Sequence, residues 1–186
     1  MADLYVALLH HPVYDRHGQI VTTALTNIDV HDIARSCRTF GVRAFYVVTP
    51  IDSHRALARR VVRHWQTGVG GDYNPTRREA LDLVHLERSL EGVEIDIERA
   101  CGALPRLVVT SARRLSETID YVALRAEIAT SSAPFLLLLG TGSGLASEVV
   151  EKAQYRLAPI EGIDGYNHLS VRGAAAILLD RLAGKR

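Results

Sequence analysis

Three stretches hold side chains whose types and spacing suit binding or catalysis. "LLLLGTGSGL" (136–145) is an apolar strand pattern that runs straight into Gly140, Thr141, Gly142 and Gly144. In an open α/β sheet, ligands bind beyond the carboxyl ends of the strands. Glycines there let backbone N–H groups come close to a bound molecule. No Lys-Ser or Lys-Thr pair follows, so the loop is not a phosphate-binding P-loop; a tight strand-to-helix turn is the plain alternative. "PIEGIDGYNHLSVRGAAAILLDRL" (159–182) sets Asn167, His168 and Ser170 at the mouth of a helix that then turns almost wholly apolar. "RRVVRHW" (59–65) places Arg59, Arg60 and Arg63 on one helix with Trp65. It suits phosphate tracking with a stacking aromatic, or an amphipathic helix whose Trp65 is core or dimer contact.

Other chemistries find little support. His10, His11 and His17 lie close in sequence, but a catalytic zinc needs three convergent protein ligands. No H-x-E or C-x-x-C pattern accompanies them, and no metal is expected. His31 and His64 fall on predicted helices beside arginines, where surface or interface roles fit. There is no G-x-S-x-G elbow, and neither Cys37 nor Cys101 has the surroundings of a nucleophile. The two cysteines are far apart in predicted helices, which argues against a disulfide framework and for a reducing, cytoplasmic setting. The net charge of +1 demands no polyanionic partner, although residues 1–81 hold ten Arg against seven acids and 20 of the 22 basic residues are Arg. Arginine makes bidentate contacts with phosphate; a general composition bias gives the same count. No run approaches the roughly 18 apolar residues that span a bilayer, so no membrane partner is expected. "MADLYVALLHHP" lacks a basic leader region and reads as a first strand, not a signal peptide.

These residues need a scaffold, and the apolar pattern supplies one. Strands are predicted at "LYVALLH", "RAFYVVT", "LVHLE", "RLVVTSA", "APFLLLLGTG" and "YRLAP". "HGQIVTTALTN" (17–27) reads as a loop or small hairpin. Between the strands lie helices: "IDVHDIARSCRTFG", with Asn27 or Asp29 as N-cap and Gly41 as its stop; "DSHRALARRVVRHWQTG", capped by Asp52 or Ser53; one opened by Asn74-Pro75; the acidic "LEGVEIDIERACG"; "DYVALRAEIATSS"; "SEVVEKA"; and a last helix from near Ser170. "GVGGDYNPT" reads as a glycine-rich loop. The acidic segment 87–98 reads as a solvated helix face. Alternation of this kind implies an α/β fold with a mostly parallel sheet and helices on both faces. No repeat or linker divides the chain, so residues 1–186 are expected to form a single domain with an apolar fraction of 47%, ample for a core.

With the elements placed, a family likeness emerges. "LLLLGTGSGL…YRLAPIEGIDGYNHLSVRGAAAILLDRL" resembles the C-terminal signature of the SPOUT superfamily of RNA methyltransferases. Pro159, Ile160, Gly162 and Leu169-Ser170-Val171 match that pattern, followed by Ala174-Ala175-Ala176-Ile177-Leu178. "TNIDVHDIARSCRTFGV" (26–42) resembles the family's first motif through Asn27, Ile33, Arg35, Phe40 and Gly41, with a different Asn-to-Arg spacing. "HHPVYDRHG", "TNIDVHDIAR" and "YNPTR" are similar to a bacterial group of S-adenosylmethionine-dependent RNA methyltransferases. That likeness covers nearly the whole chain. The G-x-G-x-G of nucleotide-fold methyltransferases is also similar to the glycine loop, but it follows the first strand, whereas this one lies three quarters of the way along.

The SPOUT resemblance implies a C-terminal deep trefoil knot, with segment 160–169 as a buried loop folded around S-adenosylmethionine. It implies cofactor binding by Thr110, Ser111, Gly140, Thr141, Gly142, Gly144, Leu145, Pro159, Ile160, Gly162, Asn167, His168, Leu169 and Ser170. It also implies a homodimer whose active site crosses the interface, an RNA substrate (tRNA or rRNA), and no separate RNA-binding domain. Arg35, Asn27 and Asp32 would carry catalysis: Arg35 would stabilise charge developing on a ribose oxygen, and Asp29 or Asp32 would take a proton from a base nitrogen. Arg38, Tyr73, Asn74 and Arg77 would meet RNA near the partner's pocket. Two departures leave base and 2′-O-ribose methylation both open. The glycine loop has no Glu, and His168 stands where the third motif has Asn, with Asn167 before it. The alternative is a non-catalytic RNA-binding or regulatory dimer on the same fold, or an unrelated α/β nucleotide-binding protein.

Overall fold

The computed structural model describes residues 2–185. Its spine is a six-stranded, wholly parallel sheet. In spatial order the strands are β5 (Val84–Glu87), β4 (Phe45–Val48), β1 (Leu4–Leu9), β7 (Phe135–Gly140), β6 (Arg106–Val109) and β8 (Tyr155–Arg156). The register places Leu9 opposite Gly140, so β1 and β7 end together. From β1 the chain builds outward through β4 to β5. It then crosses to the other side for β6, β7 and β8. The order therefore reverses between β1 and β7, the kind of switch point where open α/β sheets bind ligands.

Successive side chains of a strand face opposite ways, and both faces are covered. Val6, Leu8, Phe45, Val47, Phe135, Leu137 and Leu139 pack under α1 (Asn27–Thr39), α2 (Asp52–Gln66), α4 (Pro75–Leu81), α6 (Tyr121–Thr130) and α8 (Val171–Ala183). Tyr5, Ala7, Leu9, Tyr46, Val48, Leu136 and Leu138 pack under α5 (Leu90–Cys101) and α7 (Ser147–Lys152). The central strands are apolar on both faces for that reason. Arg125 of α6 donates to the carbonyls of Arg181 and Gly184 and pins the C-terminal end of α8.

Several boundaries differ from the sequence reading. The 17–27 stretch contributes β3 (Ile20–Val21), which pairs antiparallel with β2 (Val13–Tyr14) in a small ribbon. Thr26, not Asn27 or Asp29, occupies the N-cap of α1, and its hydroxyl donates to the Asp29 carboxylate. Ile51 precedes α2, so Asp52 is its first residue rather than its cap. The glycine-rich stretch contains a short helix, α3 (Val69–Tyr73). Gly71 is required there because a Cβ would collide with the Trp65 carbonyl oxygen. Asn74 does cap α4, accepting from the Arg77 N–H at 3.0 Å ahead of Pro75. Of segment 160–169, expected to be a buried loop, residues 161–166, 168 and 169 are exposed in the single chain, with Ile163 and Tyr166 largely in solvent. Cys37 and Cys101 are both free thiols.

Candidate active site

The carboxyl ends of β1, β6, β7 and β8 open onto one cleft of about 820 Å³, within the range of small-molecule sites. Its back wall is the loop after β7. Gly142 sits there at φ +60°, and a Cβ would come within 2.7 Å of the Tyr14 carbonyl oxygen. The loop thus lies against the β2–β3 ribbon, and only glycine fits the approach. The Tyr14 N–H donates to the Gly144 carbonyl and the Ser143 N–H to the Tyr14 carbonyl, which fixes the loop from both sides.

The loops after β6 and β8 form the other walls. Thr110 donates its hydroxyl to the Leu138 carbonyl at 2.9 Å, and the Ser111 hydroxyl accepts from the Arg113 N–H. Across the mouth, the Asn167 side-chain amide donates to the Ala112 carbonyl at 2.8 Å. Arg114 pairs with Glu161 between the same two loops. Ser170 caps α8, its hydroxyl accepting from the Gly173 N–H at 3.2 Å. Ala174 and Leu178 of α8, with Leu139 and Ile160, supply an apolar floor.

At its inner end stands Asp29, named in the sequence reading as a possible proton acceptor, with Thr26, Arg172 and His10, which that reading did not assign to the site. Asp29 accepts from Thr26 and from Arg172 at 3.1 Å, and all three residues line the cleft. His10 is buried at the end of β1 and also lines it. Thr141 donates its hydroxyl to the Leu9 carbonyl at 3.0 Å, and its oxygen lies 2.5 Å from that of Thr23. Nδ1 of His10 lies 3.1 Å from the Thr23 oxygen. Nε2 is buried with no hydrogen-bond partner among the described residues. Burial above all, with His54 nearby, pushes the His10 pKa down to about 4, against the opposing pull of Asp29 and the Ala24 carbonyl. The ring is neutral at physiological pH.

The expected cofactor residues divide. Thr110, Ser111, Gly140, Thr141, Gly142 and Gly144 line the cleft, as do Pro159, Ile160, Asn167, His168, Leu169 and Ser170. Leu145 does not; it is buried beneath the loop against the α5–α7 face. Gly162 does not either, and its place follows from a turn in which a Cβ would strike the Tyr166 carbonyl. Of the expected catalytic residues, Asn27 and Arg35 are exposed on the outer ridge of α1 and do not line the cleft of their own chain. Asp32 stands outside it as well, 3.6 Å from Arg172. Arg38 pairs with Glu79 at 2.8 Å, and Tyr73 and Arg77 lie beyond α1, with Arg77 stacked over Trp65 at 4.6 Å. Trp65 is half-buried and shared among Arg77, His31 and His64. Among the described residues no cluster of three or more His, Cys, Asp or Glu could hold a metal. No helix there is long and apolar enough to cross a membrane.

Known proteins resemble both sequence and fold. A protein of Aquifex aeolicus called uncharacterized is 42% identical over 180 residues, 97% of this chain and 88% of its own. A tRNA (guanine-N(1)-)-methyltransferase of Oleidesulfovibrio alaskensis is 43% identical over 182 residues, 98% of this chain but only 42% of its own. The SpoU methyltransferase AviRb of Streptomyces viridochromogenes, solved with AdoMet, shares the fold at a TM-score of 0.57 with 18% identity, over 97% of this chain and 57% of that one. The family profile described as SAM-dependent RNA methyltransferase matches residues 3–184. The chain belongs to that enzyme family, whose methyl donor is S-adenosylmethionine.

Proposed function

We propose that the chain methylates tRNA, with S-adenosylmethionine held in the cleft between the ends of β1, β6, β7 and β8. The observation that carries this reading is the cleft itself, since family membership and the switch-point glycine loop meet there. Its lining fits the donor: the apolar floor of Leu139, Ile160, Ala174 and Leu178 suits an adenine, and the hydroxyls of Thr110, Ser111 and Thr141 suit ribose and carboxylate oxygens. S-adenosylmethionine supplies a methyl group on a positively charged sulfur, which a nucleophile displaces in line. The chain's own task is to position the acceptor and receive its proton. Asp29 is the proton acceptor on this reading, since it lines the cleft and Arg172 and Thr26 fix its carboxylate.

The choice of tRNA follows the Oleidesulfovibrio relative's name. More than half of that relative lies outside the match, so the shared part suggests the RNA handled and not the atom modified. A cytoplasmic site of action follows, in keeping with two free thiols. We read residues 1–186 as one catalytic domain, with the chain after β7 reaching β8 at the sheet edge and returning through a knot to seat α8 beside α1. We read the active form as a homodimer. Arg35 and Asn27 lie outside their own cleft, and Ile28 is 53% exposed beside them, which suits an α1 ridge that meets a partner. Arg35, Arg38, Tyr73, Asn74 and Arg77 would then face RNA near the partner's cleft.

Calorimetric titration with S-adenosylmethionine and S-adenosylhomocysteine, followed by transfer of labelled methyl to bulk tRNA, tests the reading. Gly142→Trp is a poor control, because that site rejects even a Cβ. Ala112 is exposed, lines the cleft and has an ordinary backbone. Ala112→Trp is expected to weaken cofactor binding at least tenfold with an unchanged melting temperature. Wild-type binding that survives this change moves the site elsewhere. Binding of cofactor and tRNA with no methyl transfer leaves the regulatory dimer.

A further inference from the structure

A second pocket, of about 350 Å³, adjoins the cofactor cleft. The two share a wall: Thr110, Ser111, Arg113, Ser143 and Gly144 border both. The remaining lining is chemically distinct. Arg156 reaches it from β8, with Glu117, itself 87% exposed, as its partner at 3.4 Å. Arg113 forms no ion pair among the described residues. Tyr14, Ser116 and Ser147 add hydroxyls, and Glu151 adds one carboxylate. The Tyr14 oxygen accepts from the Ser147 N–H at 3.1 Å and lies 3.0 Å from its hydroxyl, and these bonds draw the phenol below its ordinary pKa. Leu115, Leu145 and Val150 form the floor. Two guanidiniums, several hydroxyls and an apolar base match one nucleotide. The arginines offer bidentate donors to a phosphate, the hydroxyls and Glu151 can meet ribose hydroxyls, and the floor can carry a base.

We propose that this second pocket seats a nucleotide of the RNA strand adjacent to the one that enters the cofactor cleft. The strand passes over Ser143–Gly144, and its phosphate is held by Arg113 and Arg156. The proposal rests on the reading of the chain as an RNA methyltransferase. It adds a docking site within a single protomer, separate from the α1–α4 surface.

The test uses fluorescence-anisotropy titration of unfractionated tRNA against the full chain saturated with S-adenosylhomocysteine, at several salt concentrations. Two variants touch the second pocket and not the first: Arg156→Gln removes a hydrogen-bond donor to phosphate, and Ser116→Trp, at an exposed residue, fills the space. Arg156→Gln is expected to weaken tRNA binding several-fold and to lower the slope of log affinity against log salt by about one. Ser116→Trp is expected to weaken binding at every salt concentration. S-adenosylhomocysteine affinity should stay within twofold of wild type for both. Unchanged tRNA affinity and slope in both variants overturns the proposal and leaves the methyltransferase reading standing. A loss of cofactor affinity with tRNA binding intact also overturns it, since the pocket then serves the cofactor's amino-acid tail. Dissociation of a dimer by either variant reassigns the pocket to a subunit contact. A wild-type chain that binds cofactor but no tRNA overturns both readings.

Discussion

Asp29 and Asp32 are three residues apart on α1, yet only Asp29 lines the cleft. The difference comes from α8, whose Arg172 lies 3.1 Å from Asp29 and 3.6 Å from Asp32 and holds Asp29 at the cleft's inner end. A motif fixes spacing along one helix and says nothing about where a neighbouring helix lays its arginine, so the first motif could not separate the two. His10, weighed with His11 and His17 as a metal set and set aside, is joined in the structure through Thr23 to Thr141 of the glycine loop. If Asp29 receives the acceptor's proton, Asp29→Asn should lower methyl transfer by about 10²–10⁴-fold, the usual worth of a positioned base. Cofactor affinity should change little, and Asp32→Asn should retain most activity. Single-turnover transfer to tRNA measures both. Equal losses in the two variants would point to the Arg172 ion pair as a structural clamp.

Among the elements, those with local punctuation were legible. Asn74-Pro75 opens α4 because Asn caps and Pro suits the first turn, and Gly102 ends α5 in the left-handed region at φ +75°. Helix α3 was not legible. It is five residues long, carries two glycines and exists where Gly71 packs against the end of α2. That approach is tertiary, and no local propensity encodes it. The start of α8 was legible, and it matters more. Ser170 both caps the helix and lines the cleft, so it ties helix stability to the site's shape. Ser170→Ala removes the bond to the Gly173 N–H and should cost about 1 kcal/mol of stability, as N-cap losses typically do. Frayed cap residues next to Leu169 and Ala174 should weaken S-adenosylhomocysteine binding at the same time. Thermal unfolding with and without ligand reads both effects. Ser170→Asp, which restores a cap acceptor, should recover the stability.

For the whole molecule, periodicity was enough to predict a parallel sheet with helices on both faces. It could not supply the order β5-β4-β1-β7-β6-β8, because apolar runs buried on both sides look alike wherever they sit. That order brings β1 and β7 side by side and sets His10 among the strand end, the Thr23 linker and the glycine loop. Closing that junction leaves an imidazole that resists protonation, with consequences for global stability. The folded pKa is about 4, below the ordinary value of 6.5. Between those two values the unfolded chain binds a proton that the native chain refuses, so unfolding becomes easier as pH falls through this window. Above about pH 6.5 both states are neutral and the penalty vanishes; below about pH 4 both are charged and it is fully expressed, at about 3 kcal/mol for a shift of this size. Denaturant unfolding of wild type between pH 4 and 7 should show this decline on top of contributions from other titrating groups. His10→Asn keeps a polar group where Nδ1 stands but cannot titrate, so its stability should start lower at pH 7 and fall less steeply toward pH 4. Parallel curves for the two proteins would mean that the native junction opens to admit the proton, and that the hydroxyl chain does not hold the glycine loop closed.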